Sequence, residues 1–85
     1  MSRDIFAETR ARVAAREAMA NGAPTPFSAP LRSGAGEVIV HRCTVVAGQW
    51  QASLFVGGEP TGHRGPLAWP DAVRAAYEYG ADFSR

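Results

Sequence analysis

The chain of 85 residues carries nine Lys plus Arg and eight Asp plus Glu, which gives a formal net charge of +1. This length holds one hydrophobic core, so we expect a single domain over residues 1–85. All nine basic side chains are arginine. Because generic nucleic-acid binders normally carry a large basic excess, the near-neutral balance disfavours non-specific binding to DNA or RNA.

Neither a membrane span nor a signal peptide is expected. Apolar runs stay well below the ~18 residues that a membrane span needs. The first twenty residues mix acids with arginines, whereas a signal peptide carries a continuous apolar segment. Cys43 is the only cysteine, which excludes an internal disulfide and fits a reducing compartment. We therefore expect a cytoplasmic protein.

A helix is predicted over residues 3–20, within an N-terminal segment that spans 1–22. Ser2 is a suitable N-cap, and Asn21-Gly22 is a typical helix stop. Helical spacing places one set of side chains on the expected core face: Ile5, Phe6, Thr9, Val13 and Ala20.

A second face of this helix carries only alanine, at Ala7, Ala11, Ala14 and Ala18. Alanine is the best helix former and needs no partner, so this face is compatible with simple exposure to solvent. Its small side chains would also let another helix approach closely. A homodimer through this face therefore stays open.

The segment 23–36, "APTPFSAPLRSGAG", holds three prolines followed by two glycines. Proline forbids helix and disfavours a central strand. We expect an extended link, with Phe27 and Leu31 attaching it to the core.

Two strands are predicted within residues 37–56, from "EVIVHRCTVV" and "WQASLFV", which are rich in β-branched and aromatic residues. A two-residue type II′ turn at Gly48-Gln49 would join them. That turn pairs Ala47 with Trp50 and places His41 and Cys43 on the apolar face with Ile39. The other, mixed face then holds Arg42, Thr44, Val46, Gln51, Ser53 and Phe55.

The last element is a helix predicted over residues 70–83, with Pro70 at its first position. Its core face is expected to hold Trp69, Val73, Ala76, Tyr77 and Gly80. Leu67-Ala68 would add a short third strand. The fold class is therefore α+β: an N-terminal helix, a link, and a ββα core over 37–85. Its C-terminal helix packs on the antiparallel hairpin, and both helices lie mainly on one face of the sheet.

The stretch "VGGEPTGHRGP", residues 56–66, begins with the glycine spacing of a phosphate-binding loop at Gly57 and Gly62. The motif requires lysine and then a hydroxyl residue after the second glycine. His63 and Arg64 stand there instead, and Gly65-Pro66 blocks a following helix, so nucleotide binding is not expected. The stretch is either a plain connector or a contact loop that presents Glu59, His63 and Arg64.

Neither a metal site nor a catalytic site is expected. His41 and Cys43 share one side of a predicted strand, but no nearby cysteine or histidine completes a ligand set. The proposed register gives Ser53 no histidine neighbour to act as a base. We therefore expect no cofactor, no metal and no enzymatic activity.

A partner-binding surface is the remaining candidate site. The mixed face combines the aromatic Phe55 with Arg42 and polar neighbours, a composition typical of binding hot spots. Arg12 and Arg16 form a second candidate patch, although a salt-bridged, solvated helix face is the favoured explanation of them. The predicted contact residues are Arg42, Phe55, Glu59, His63, Arg64, Arg12 and Arg16.

Two resemblances bear on function. The element order α-β-β-(β)-α, ending in "WPDAVRAAYEYG", resembles the double-stranded-RNA-binding domain. That family opens its second helix with a lysine-rich segment. The corresponding "GPLAWPDAVRAA" has no lysine and only Arg74, so RNA binding does not carry over.

The overall profile also resembles the small inhibitors of phages and mobile elements, anti-CRISPR proteins among them. The shared features are a short near-neutral chain, no catalytic constellation and a hairpin between helices. This resemblance implies a non-enzymatic inhibitor or adaptor that occupies the surface of a larger protein or nucleoprotein complex. The alternative is a small nucleic-acid-binding module that uses its arginines.

Overall fold

The computed structural model describes residues 6–83 and contains two helices and a four-stranded antiparallel sheet in the order β1-β2-β3-β4. The elements are α1 (Ala7–Asn21), β1 (Phe27–Pro30), β2 (Gly36–Arg42), β3 (Trp50–Val56), β4 (Glu59–Leu67) and α2 (Trp69–Glu78). The predicted α+β class is confirmed, and the sheet is larger than the predicted hairpin. The predicted cap Ser2 and the predicted core residue Ile5 lie outside the described residues.

Strand β4 occupies most of the stretch 57–66, which was expected to be a loop. Gly57 and Gly58 have φ values of 61° and 82°, and a two-residue type I′ turn requires positive φ at both positions. The chain therefore reverses directly after β3. Because β4 is an edge strand, its prolines cost no ladder hydrogen bonds to a further strand. The connector interpretation of this stretch was wrong.

Strand β1 lies inside the expected link and pairs with β2, Ala29 opposite Val38. It is the other edge of the sheet, where proline is tolerated. The predicted attachment of this segment to the core is confirmed, since Leu31 is buried and Phe27 packs against the core cluster. The segment is thus part of the sheet and not only a connection.

The predicted β2–β3 register was wrong. Trp50 pairs with Arg42, and not with Ala47 as expected. The turn runs from Val46 to Gln49, whose N–H donates to the Val46 carbonyl at 3.3 Å. Gly48 is its third residue with φ 80°, the position at which a type II turn requires positive φ. Residues 43–49 therefore form a loop, and β2 ends earlier than predicted.

The partner of Trp50 moves from the predicted Ala47 to Arg42, a shift of five residues. Because five is an odd number, the side chains of β2 exchange faces. Val38 and Val40 are fully buried, whereas Ile39 and His41 point to the other side and are half-buried. Cys43 follows the end of the strand and is also only half-buried. The expectation that His41 and Cys43 lie on the apolar core face was wrong.

The core lies between the sheet and α2. Ala72, Val73, Ala75 and Ala76 of α2 are fully buried and belong to one cluster with the buried side chains of β2 and β3. Trp69 stacks edge-on against Trp50 with ring centroids 4.7 Å apart. The predicted core positions of α2 are confirmed for its aliphatic residues and Trp69, while Tyr77 and Gly80 are half-buried.

Helix α1 packs on α2 and makes no close backbone contacts with the described strands. Ala15, Met19 and Ala20, in its C-terminal half, reach the core cluster. Phe6 is 63% exposed and Thr9 is exposed as well. The predicted core face is therefore wrong for the first turns of α1 and is partly buried only toward its C-terminal end. The layers are sheet, α2 and α1, and the far face of the sheet is not covered by any described helix.

Candidate protein-binding surface

The uncovered side of the sheet, which we call the open face, is defined by strand register. Its side chains are Ser28 and Pro30 of β1, Glu37, Ile39 and His41 of β2, Gln51, Ser53 and Phe55 of β3, and Pro60 and His63 of β4. These positions alternate with the buried residues that face α2.

Ile39 and Phe55 form the apolar centre of the open face, and both are half-buried. Phe55 also belongs to a row of paired residues that crosses all four strands, from Pro30 through Glu37 and Phe55 to Pro60. Pro30, Glu37, Ile39 and Phe55 line a groove of about 450 Å³, together with the glycine turns at 34–36 and 57–58. Its volume lies within the range of ligand clefts, roughly 300 to 1,000 Å³.

A hydrogen-bonded pair occupies the other end of the open face. His41 Nε2 lies 2.9 Å from Ser53 Oγ, and His41 Nδ1 lies 3.1 Å from the carbonyl oxygen of Arg42. A carbonyl only accepts, so Nδ1 carries the proton and Nε2 accepts from the Ser53 hydroxyl. The prediction that Ser53 has no histidine neighbour was wrong, because it depended on the incorrect register.

Of the seven predicted contact residues, only Phe55 and His63 lie on the open face. Arg42 pairs with Trp50 and therefore points to the helix side. Its guanidinium lies 4.8 Å from the centre of the Trp50 ring, as in a cation–π contact. Arg42 and Phe55 were expected on one mixed face, and the observed register places them on opposite faces.

Glu59 and Arg64 also lie on the helix side, opposite Val56 and Ala52. Arg64 Nη1 donates to Glu78 Oε1 on α2 at 2.5 Å. This hydrogen bond raises the pKa of Arg64 and lowers the pKa of Glu78. The expected contact loop with Glu59, His63 and Arg64 side by side is therefore not present, since His63 points the other way.

The second predicted patch lies on α1, away from the open face. Arg12 is 3.6 Å from Glu8, and the Arg16 guanidinium lies 5.2 Å from the centre of the Tyr77 ring. Both arginines contact groups of the protein itself. The alanine face is exposed along its length, and the homodimer through it stays a prediction.

Sequence reasoning missed Glu37, Ile39, His41 and Ser53 as members of one surface. A usable signal was present in β2. The polar Glu37 and His41 stand at odd-numbered positions and the apolar Val38 and Val40 at even-numbered ones, so the two pairs point to opposite faces of the strand. Weighting that alternation above the assumed turn would have given the observed faces.

Within residues 6–83, no group of three or more His, Cys, Asp or Glu side chains is placed to hold a metal ion. The same residues include no helix that is long and apolar enough to span a membrane. Comparison of the chain with protein-family models, curated proteins and solved structures found no match.

Proposed function

We propose that this protein is a non-enzymatic inhibitor or adaptor that binds a larger protein or nucleoprotein complex through the open face of its sheet. An anti-CRISPR-type inhibitor is the narrower form of the proposal. The observation that carries it is the open face itself, whose apolar centre, Ile39 and Phe55, is surrounded by polar side chains and left uncovered. Apolar patches with polar rims mark interaction sites on small proteins.

The edges of the sheet favour binding through the face and not by strand addition. Edge strands with free backbone groups can pair with a partner chain, and proline blocks such pairing. Pro30 lies in β1, and Pro60 and Pro66 lie in β4. The partner is therefore expected to contact side chains on the face.

The arrangement of the arginines weighs against the nucleic-acid alternative. Six described arginines contact groups of the protein: Arg12, Arg16, Arg32, Arg42, Arg64 and Arg74. The open face, as defined above, contains no arginine. A strand of nucleic acid laid on this face would meet Glu37 instead of a basic stripe.

The Ser53–His41 pair is the observation that would favour an enzyme. Catalytic triads orient their histidine with a carboxylate, whereas His41 faces the backbone carbonyl of Arg42. We interpret the pair as a cross-strand contact that orders the open face. Hydrolysis of a nitrophenyl ester by the wild-type protein, lost in Ser53→Ala, would overturn this interpretation.

The decisive experiment compares two double variants in tagged capture from source cells, with quantitative mass spectrometry. Ile39→Ser with Phe55→Ser removes the apolar centre. The matched control, Val45→Ser with Val56→Ser, changes two exposed apolar residues outside the open face, 88% and 38% exposed. We expect the control to retain a protein partner and the open-face variant to lose it by about tenfold or more, as hot-spot truncation does.

Two outcomes would contradict the proposal: equal loss of the partner in both variants, or retention of the partner by the open-face variant. Steep weakening with salt would favour the nucleic-acid alternative. The narrower form requires that expression of the protein protects phage from CRISPR interference, with the open-face variant inactive.

A further inference from the structure

The groove beside Phe55 contains an unpaired carboxylate. Most described acids pair with arginine: Glu8 with Arg12, Glu17 with Arg16, Asp71 with Arg74 and Glu78 with Arg64. Within residues 6–83, Glu37 makes neither an ion pair nor a side-chain hydrogen bond. It is exposed at the centre of the row that crosses the sheet, between Pro30 and Phe55.

We propose that this groove binds an arginine side chain of the partner protein. This inference rests on the proposed function and names the chemistry that the open face recognises. The carboxylate of Glu37 would receive the guanidinium, and Phe55 would provide an aromatic surface beside it. Carboxylate pairing and stacking on an aromatic ring are the two interactions in which arginine exceeds lysine.

The charge of the open face supports a cationic occupant. Glu37 is the only acidic side chain on it, and no arginine lies there to compete. The side chains beside the carboxylate are apolar, so a bound cation would lose part of its water and gain more from the pair than on a flat polar surface.

The shape of the groove supports the same occupant. The turns at 34–36 and 57–58 line one end with glycine and alanine, which leaves space for a flat group to lie against the backbone. Pro30, Ile39 and Phe55 also line the groove, and their apolar side chains suit the methylene stem of a long cationic side chain.

The test uses a capped pentapeptide, acetyl-Gly-Ala-Arg-Ala-Gly-amide, titrated into the full chain labelled with ¹⁵N. Matched peptides carry lysine or citrulline, which has the shape of arginine without its charge. We expect the arginine peptide to shift the amide signals of Glu37, Ile39 and Phe55, and the citrulline peptide to leave them unchanged.

Glu37→Gln tests the carboxylate, with Glu59→Gln as control. Glu59 is an exposed glutamate of the same sheet that points to the helix side and forms no ion pair within the described residues. Glu37→Gln should weaken binding about fivefold, the upper range for an exposed ion pair, while Glu59→Gln leaves it unchanged. Added salt should weaken the wild-type interaction.

Equal binding by the citrulline or lysine peptide, or unchanged binding by Glu37→Gln, would overturn this inference. So would a partner that depends on Ile39 and Phe55 but is captured fully by Glu37→Gln, in which case the proposed function would stand. A partner whose capture is unchanged by substitution of Glu37, Ile39 and Phe55 would overturn both proposals.

Discussion

The indole N–H of Trp69 donates to the main-chain carbonyl of Met19 at 3.2 Å. Trp69 begins α2 and packs against Trp50 and Phe27, while Met19 lies in the last turn of α1. A single side chain therefore belongs to the aromatic core and also holds the outer helix. Since α1 has no fully buried residue, its attachment depends on few contacts.

Trp69→Phe should release α1 more than it disturbs the sheet. It removes the hydrogen bond to Met19, which is worth about 0.5–1.5 kcal/mol, together with part of the ring. Hydrogen exchange should accelerate at α1 amides before it does in β2 and β3. Trp50→Phe, in the same cluster, is the control, and it should lower global stability without that selectivity. Equal exchange in α1 for both variants would contradict the prediction.

Gly36→Ala should destabilise the sheet. A Cβ at this position would collide with the backbone of Phe55 and Val56 on β3, and backbone cannot move aside as a flexible side chain does. We expect a loss of about 1–3 kcal/mol, typical of overpacking, measured by urea denaturation. Gly22→Ala is the control, because its Cβ would make only ordinary contacts. A Gly36→Ala variant as stable as wild type would mean that β2 and β3 lie farther apart.

The Arg64–Glu78 pair should contribute to the acid sensitivity of folding. The hydrogen bond from Arg64 lowers the pKa of Glu78 from its ordinary value of 4.5. A carboxyl with a lowered pKa in the folded state adds stability above its unfolded pKa and loses it as pH falls through the folded value. The Glu78→Gln variant should thus be less stable than wild type near neutral pH. Its stability should also fall less than that of wild type as the pH drops below about 4.5. Thermal unfolding at several pH values measures this.

Glu59→Gln provides the reference for that experiment, because Glu59 has no ion pair among the described residues. Its unfolding should follow the wild-type pH dependence. If Glu78→Gln follows the wild type as well, the pair is not formed in solution.

His41 should be in the Nδ1–H tautomer when neutral. Its Nδ1 faces the Arg42 carbonyl and its Nε2 faces the Ser53 hydroxyl, and only this tautomer satisfies both. Long-range ¹H–¹⁵N correlation spectra report the tautomer directly. Ser53→Ala should change the Nε2 shift and leave Nδ1 protonated, whereas a dominant Nε2–H form would contradict the geometry.

The helices and strands β2 and β3 were predictable because each has a strong local signal. Helix α2 begins at Trp69, one residue before the predicted start at Pro70, and β3 matches "WQASLFV" at both ends. Strand β4 was not predictable by composition, since its glycines and prolines are typical of loops. Only the Gly57-Gly58 pair indicated a tight reversal, and the pairing with β3 supplies the rest.

The candidate surface was harder to predict than the fold, because a register shift by an odd number of residues moves every side chain of a strand to the other face. Placing Gly48 second in the turn, and not third, moved Arg42 onto the wrong face and His41 into the core. Phe55 was placed correctly because β3 begins at Trp50, next to that turn. A side chain's face follows from register, and register here is set by burial of Val38 and Val40 more than by the turn.

The seven-residue connection over 43–49 has a practical consequence for engineering. Its length means that extra residues near Val45 would enlarge a loop, and each doubling of a loop costs only about 0.6 kcal/mol of closure entropy. Val45 is 88% exposed, so neither core contacts nor strand pairing would be lost. A fluorophore or affinity handle inserted there would report on the sheet while leaving Ile39, Phe55 and the groove unobstructed.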